Sequence, residues 1–285
     1  MKGKKNTGFF WDEFIYGGHW FSISSSALAV SIMILLQVQL RWELPFIIYF
    51  LIQCLFNYNH YKELDMDHLS NSDRSAHLQQ YKKILPYITG VYGMIFIILV
   101  LLFRNIHFLL FAFILLLLGL LFTKVFKKWT KRIVGFKTIY AAFTYCILMI
   151  IFIALYCSYP LNITLFLLFI IFGLRFMIGT GFSDIKDMKL DNRQNLLTFA
   201  NYFGQQRFLI TLHILNMVTF LLFLLIVLKI NITYSIVVIF TYIYTFYYIQ
   251  KTKFNDKNIQ SITNIIVDGE YIFWPLLSLI GFFIF

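Results

Sequence analysis

The sequence predicts an all-α integral membrane protein, a bundle of nine transmembrane helices. Composition, the count of apolar runs and the placement of basic residues carry that expectation. Hydrophobic residues make up 60% of the 285-residue chain and charged ones 13%, with a mean hydropathy of +0.77. A soluble domain is roughly 25% charged and 45–50% apolar, so lipid is the solvent for most of this chain.

At the ~20 residues needed to cross a hydrocarbon core of ~30 Å, nine runs appear: 19–39, 44–62, 84–103, 106–123, 136–157, 161–182, 208–228, 231–250 and 265–285. The first follows the basic head MKGKKNTGFFWDEF, contains His19 and lacks a small-residue cleavage site, so it is expected to stay attached as a span. With the N-terminus in the cytoplasm, the connectors alternate. Those assigned outside carry Arg41, Arg104 and Lys229, three of the 24 basic residues. Those assigned inside carry Lys62, Arg74, Lys82 and Lys83, then the cluster from Lys124 to Lys137, then Lys186, Lys189, Arg193 and Arg207, and finally Lys251, Lys253 and Lys257; Lys2, Lys4 and Lys5 precede the first span. This asymmetry supports both count and orientation. It also accounts for the net charge of +11 without a nucleic-acid partner. Four prolines and no Gly/Ser-rich linker leave residues 1–285 as one expected membrane domain. Cys54, Cys146 and Cys157 form neither a CxxC pair nor a disulfide framework.

The second run, LPFIIYFLIQCL, passes directly into FNYNHYKELDMDHLSNSDR. Asn59, Glu63 and Asp67 are spaced four and four apart, so a helix continuing past Tyr61 presents three oxygen-bearing side chains on one face. A second acidic cluster follows the sixth run in GFSDIKDMKLDNRQNLLTFANYFGQQR, where Asp187 and Asp191 share a face and Asp184 precedes them. Two acidic faces at one membrane edge repel unless cations and a polyanion lie between them. Mg²⁺ is commonly held by one or two carboxylates together with substrate phosphates. The pattern therefore points to a metal-bridged diphosphate. A second register, Asn57, Tyr61 and Asp65, also fits the four-residue spacing, but it lacks the middle carboxylate.

These two clusters resemble the signatures of the UbiA superfamily of intramembrane prenyltransferases, NxxxDxxxD with an Arg about seven residues beyond, and DxxxDxxxGxxT. The first reads here as Asn59, Glu63, Asp67 and Arg74; the second as Asp187, Asp191, Asn195 and Thr198, followed by Gly204 and Arg207. The nine-span layout is similar too. Glu63 stands where Asp is usual, and Asn195 where Gly is usual, although Asn tolerates the left-handed backbone better than most residues. The connector LFTKVFKKWTKR resembles the family's Tyr-then-LysArg segment, with Phe122 in the Tyr position and Lys127 and Lys128 as the basic pair.

The resemblance implies a prenyl diphosphate substrate held through Mg²⁺ by Asn59, Glu63, Asp67, Asp187 and Asp191, with Arg74, Lys127 and Lys128 on the diphosphate. Ionisation of the allylic carbon–oxygen bond is followed by transfer to an aromatic or quinone-precursor acceptor in a water-excluding apolar tunnel. A cyclase of the same fold shares every motif. A transporter is a third class, although the acids cluster at the membrane edge and not at its midplane. The expected setting is a bacterial cell membrane with the active-site loops cytoplasmic. His60, His68 and His77 lack a zinc-ligand spacing and are expected to be interfacial. Arg175, inside the sixth run, is expected either to contact the diphosphate or to snorkel. Of 34 Phe and 18 Tyr, most are expected to pack or face lipid, with a minority facing a cation-stabilising cavity.

Overall fold

The computed structural model describes residues 8–103, 106–121, 125–254 and 259–285. The expectations placed on Lys2, Lys4, Lys5, Arg104, Phe122, Lys124 and Lys257 lie outside the described residues, as does the side chain of Lys127. Every regular element among the described residues is helical. In order they are α1 (Phe9–Tyr16), α2 (His19–Leu35), α3 (Glu43–Asp67), α4 (Ser72–Gln79), α5 (Leu85–Phe103), α6 (Ile106–Leu121), α7 (Lys127–Thr130), α8 (Phe136–Cys146), α9 (Ile153–Tyr156), α10 (Ile163–Arg193), α11 (Phe199–Phe203), α12 (Gln205–Ile230), α13 (Ser235–Phe254), α14 (Ile259–Ser261) and α15 (Trp274–Ile284). A π-helical turn, Ile147–Phe152, joins α8 to α9, and a second, Ile262–Val267, extends α14.

Among the described residues, six helices are long and apolar enough to cross a membrane: Leu85–Phe103, Phe136–Tyr156, Ile163–Arg193, Gln205–Ile230, Ile232–Thr252 and Ile259–Ile284. The pair α1 and α2, bent by 52° at Gly17 and Gly18, makes a seventh if taken as one span. Gly18 sits at φ +86° with the Phe56 ring where a Cβ would be, so both backbone and neighbour require glycine there. The nine expected spans are therefore not all matched. The run 44–62 lies in α3, which has the length but whose second half is polar; the run 106–123 corresponds to α6, which has only 16 residues. Hydropathy alone equates an apolar run with a span, whereas crossing needs length and composition in the same helix.

The packing explains which helices face inward. α3 packs between α2 and α5, and α10 packs against α8 and α12. Ile32, Leu51, Phe152, Phe172 and Trp274 are buried in one apolar core, while Phe182, Leu212, Tyr248 and Ile262 form a second. Leu102, Leu225, Ile243 and Phe283 are exposed, an apolar exterior suited to lipid. Together these features make the chain an integral membrane protein.

α3 and α10 are longer than a bilayer requires. At 1.5 Å per residue, helices of 25 and 31 residues span about 38 and about 46 Å. Their C-terminal turns hold the two acidic clusters.

Candidate active site

α3 runs unbroken to Asp67, so Asn59, Glu63 and Asp67 fall on one face. Glu63 and Asp67 line a polar pocket of about 120 Å³ together with Arg74, Asp187 and Asp191. Asn59 lies one turn nearer the membrane, at the wall of an adjoining cavity of about 390 Å³. His60 lines both. Asp65, from the alternative register, is instead exposed and paired with Lys82 at 2.6 Å, while Asn57 is buried.

Arg74 reaches the pocket because the chain reverses after α3. Asn71 caps α4, its side chain accepting from the Arg74 backbone N–H at 3.3 Å, and the short helix turns Arg74 back toward Asp67. The Arg74 guanidinium donates to both Asp67 carboxylate oxygens at 3.1 Å, and His60 Nδ1 lies 3.3 Å from Oδ2. Asp67 lies beyond the apolar run and is 2% exposed. Burial alone raises such a carboxyl, but the Arg74 charge and His60 outweigh it and hold Asp67 well below the usual carboxylate range.

On the other face, Lys137 is the hub. Its ammonium lies 3.0 Å from Asp184 Oδ1, 3.0 Å from Asp191 Oδ2 and 3.6 Å from Asp187 Oδ2. Thr138 also donates to Asp184, and Lys186 lies 3.5 Å from Asp187. Two backbone bonds bring Lys137 there: Leu197 N–H donates to Thr130 O at 2.9 Å, and Gly135 N–H donates to Leu197 O at 2.7 Å. Gly135 is at φ +71° with the Phe199 ring 2.1 Å from a would-be Cβ, which fixes glycine at the corner. Asn195 has φ +55°, the left-handed backbone expected at this Gly-like position.

Of the connector's basic pair, Lys128 is the one whose side chain is described, and it is placed differently from the acids. Lys128 is exposed and does not line the polar pocket. Sequence reasoning missed Lys137 as a site residue; the available signal was a Lys two residues after the Gly135 corner. It also missed His60 as a partner of Asp67. Arg175 neither snorkels nor reaches the pocket. It is 2% exposed and pairs with Glu270, with further bonds to Thr245 and to Asn216 Oδ1 at 3.3 Å. An Arg at that depth needs a buried acid, and a partner 95 residues away leaves no local trace.

Among the described residues no three His, Cys, Asp or Glu side chains converge as a ready metal-ligand cluster, because Arg74 and Lys137 engage the acids. Two oxygens are nevertheless left over. Asn59 Oδ1 and Asp187 Oδ1 are buried with no hydrogen-bond partner. Hard oxygen donors left without a hydrogen bond, Asp187 Oδ1 having only the Lys186 ammonium at 3.5 Å beside it, fit a divalent cation sharing its sphere with phosphate oxygens.

The larger cavity is mostly apolar. Six aromatic rings line it, Phe21, Phe56, Tyr140, Tyr145, Phe176 and Tyr271, a small fraction of the 52 Phe and Tyr.

A polar pocket between two acidic helix ends shares its His60 wall with an aromatic-lined cavity within a helical membrane bundle. The chain belongs to the UbiA prenyltransferase family, whose family model matches residues 46–265. It is similar in fold to the apo structure of a UbiA homolog from Aeropyrum pernix K1, at 13% identity and a TM-score of 0.68, over 93% of this chain and 97% of that one. A UbiA homolog from Archaeoglobus fulgidus, solved bound to GPP and Mg²⁺, aligns at 14% identity and a TM-score of 0.66, over 94% and 99% of the two chains. A digeranylgeranylglyceryl phosphate synthase aligns at 16% identity and a TM-score of 0.57, over 96% and 98%. At these identities the likeness is one of fold. None of the curated proteins matches the sequence.

Proposed function

We propose that this chain is an intramembrane prenyltransferase, a single domain over residues 1–285, that ionises a Mg²⁺-bound prenyl diphosphate and transfers the prenyl group to an aromatic or quinone-precursor acceptor. One observation carries this reading: the polar pocket bearing both acidic clusters lies beside the aromatic-lined cavity, with His60 lining both. A diphosphate suits the first and an isoprenoid tail the second. The A. fulgidus homolog, which holds GPP with Mg²⁺ in a similar fold, supports the same division.

Asn59, Glu63, Asp67, Asp187 and Asp191 would hold Mg²⁺, which neutralises charge on the diphosphate as it leaves. Arg74, oriented by Asp67, supplies a fixed donor fork for phosphate oxygens. Lys127 and Lys128 on the connector would offset remaining diphosphate charge, and Lys137 would keep the second acidic cluster compact until the ligand arrives. The apolar walls exclude bulk water from the allylic cation, and ring faces stabilise it. We extend the topology to nine spans, with α3 and α6 as the second and fourth, the basic connectors cytoplasmic and the protein in a bacterial cell membrane.

The test is incubation of purified protein and Mg²⁺ with prenyl diphosphates of several lengths, with and without aromatic and quinol acceptors, and product identification by mass spectrometry. Prenylated acceptor supports the transferase. Cyclised hydrocarbon formed regardless of acceptor assigns the chain to the cyclase class. Absence of diphosphate release with every substrate overturns both.

A further inference from the structure

The diphosphate site uses the acids of α3 and α10, yet a further carboxylate faces the larger cavity. Asp268 is the one Asp or Glu among the described residues lining it, and no described Lys or Arg lines it. Its side chain makes no hydrogen bond or ion pair among the described residues. The nearest cationic candidates are engaged elsewhere: Arg74 on Asp67 and Lys186 on Asp187.

The backbone holds Asp268 firmly. It closes the π-helical turn, its N–H donating to Thr263 O at 3.0 Å, just before the 3₁₀ turn Glu270–Phe273. Gly269 packs against Trp20, whose Nε1 donates to Ile265 O at 2.8 Å, and buried Arg175 clamps Glu270. A carboxylate fixed on both sides and left unpaired in an apolar cavity is an expensive arrangement unless a ligand completes it.

Prenyl transfer has a step that none of the diphosphate-site residues performs. When the allylic carbon–oxygen bond breaks, its electron pair leaves with the diphosphate; when the acceptor attacks, its nucleophilic oxygen or ring carbon must shed a proton. Resting on the prenyl-transfer reading, we propose that Asp268 is a catalytic residue of the acceptor step, which accepts a hydrogen bond from a neutral hydroxylated acceptor, a phenol, quinol or alcohol, and then takes the proton that the acceptor loses. The bond from acceptor to prenyl carbon forms, the acceptor's bond to hydrogen breaks, and the proton rests on the Asp268 carboxylate. Charge sets the substrate class. An acceptor carrying its own carboxylate meets Asp268 without an opposing Lys or Arg on the cavity wall, which disfavours it.

The test needs no knowledge of the natural acceptor. Geranyl diphosphate and Mg²⁺ are incubated without acceptor, and diphosphate release, hydrocarbons and alcohols are quantified. A base beside the cation yields hydrocarbon by proton loss, whereas capture by water yields alcohol. Asp268→Asn is expected to lower the hydrocarbon-to-alcohol ratio on the order of a hundredfold, the low end of general-base effects, and Asp268→Glu to restore part of it. In wild-type protein, hydroquinone is expected to divert the prenyl group into a prenylated product, and 4-hydroxybenzoate not to. An unchanged ratio in Asp268→Asn overturns the proposal, as does failure of hydroquinone to divert product or equal diversion by 4-hydroxybenzoate. If Asp268→Asn releases no diphosphate, Asp268→Glu decides: a hydrocarbon-rich mixture supports the base, and alcohol alone overturns it. Wild-type protein that releases no diphosphate overturns the prenyl-transfer reading itself, and this proposal with it.

Discussion

Arg74 holds Asp67 with two parallel bonds, Nε to Oδ2 and Nη2 to Oδ1, each 3.1 Å. The planar fork fixes both side chains at the pocket edge in a way that a Lys point charge does not reproduce. Arg74→Lys is therefore expected to lower Mg²⁺-dependent diphosphate release about tenfold or more, the equivalent of one charged hydrogen bond. Wild-type release by the variant would remove Arg74 from the site.

Lys137 offsets three carboxylates at once. Lys137→Met leaves them buried together, so detergent-solubilised protein is expected to lose about 3–5 kcal/mol of stability. Part of that loss should return when millimolar Mg²⁺ is added, because the cation occupies the same acids. Thermal unfolding with and without Mg²⁺ reads both effects; a melting temperature insensitive to Mg²⁺ in the variant would argue against cation binding there.

Asp67→Ala and Asp191→Ala each remove one side of a shared clamp across the polar pocket. Each alone is expected to lose most diphosphate release, and the double variant little more, since groups acting as one unit are not additive. Excess EDTA should abolish wild-type release, and full activity in EDTA would rule out a metal mechanism.

Glu63 tests the register of the first motif. Glu63→Asp keeps the charge and should retain substantial release. Glu63→Gln removes it and should cost far more, with recovery at high Mg²⁺ if the defect is metal affinity. Asp65 is exposed beside Lys82, so Asp65→Asn should be mild. A near-normal Glu63→Gln with an inactive Asp65→Asn would reverse the assignment of the helix face.

Buried Arg175 and Glu270 form a pair that can be broken from either end. Glu270→Gln or Arg175→Met alone is expected to destabilise by about 3–5 kcal/mol, because each leaves an uncompensated charge. The double variant carrying both Glu270→Gln and Arg175→Met should recover much of the stability, and equilibrium unfolding of the three variants in detergent measures the coupling. Additive losses would mean that the two side chains do not depend on each other.

Composition and periodicity were enough to establish a helical membrane protein and to place acidic residues four apart on helix faces, with Arg74 seven residues beyond Asp67; the cap at Asn71 that turns Arg74 back on Asp67 came from the structure. The features legible in the sequence are local: an i,i+4 face is decided within one or two turns of chain. The left-handed backbone at Asn195 is of the same kind. Tertiary structure decided which connector lysine meets the acids. It is Lys137 that does so, because the Leu197 backbone bonds Thr130 and Gly135 and swings the start of α8 over the α10 carboxylates. It likewise paired Arg175 with Glu270 across 95 positions and set Asp268 into the cavity at a break between two helical turns. Such pairings depend on how helices stack and where loops fold back, and nothing in the spacing of neighbouring residues encodes them.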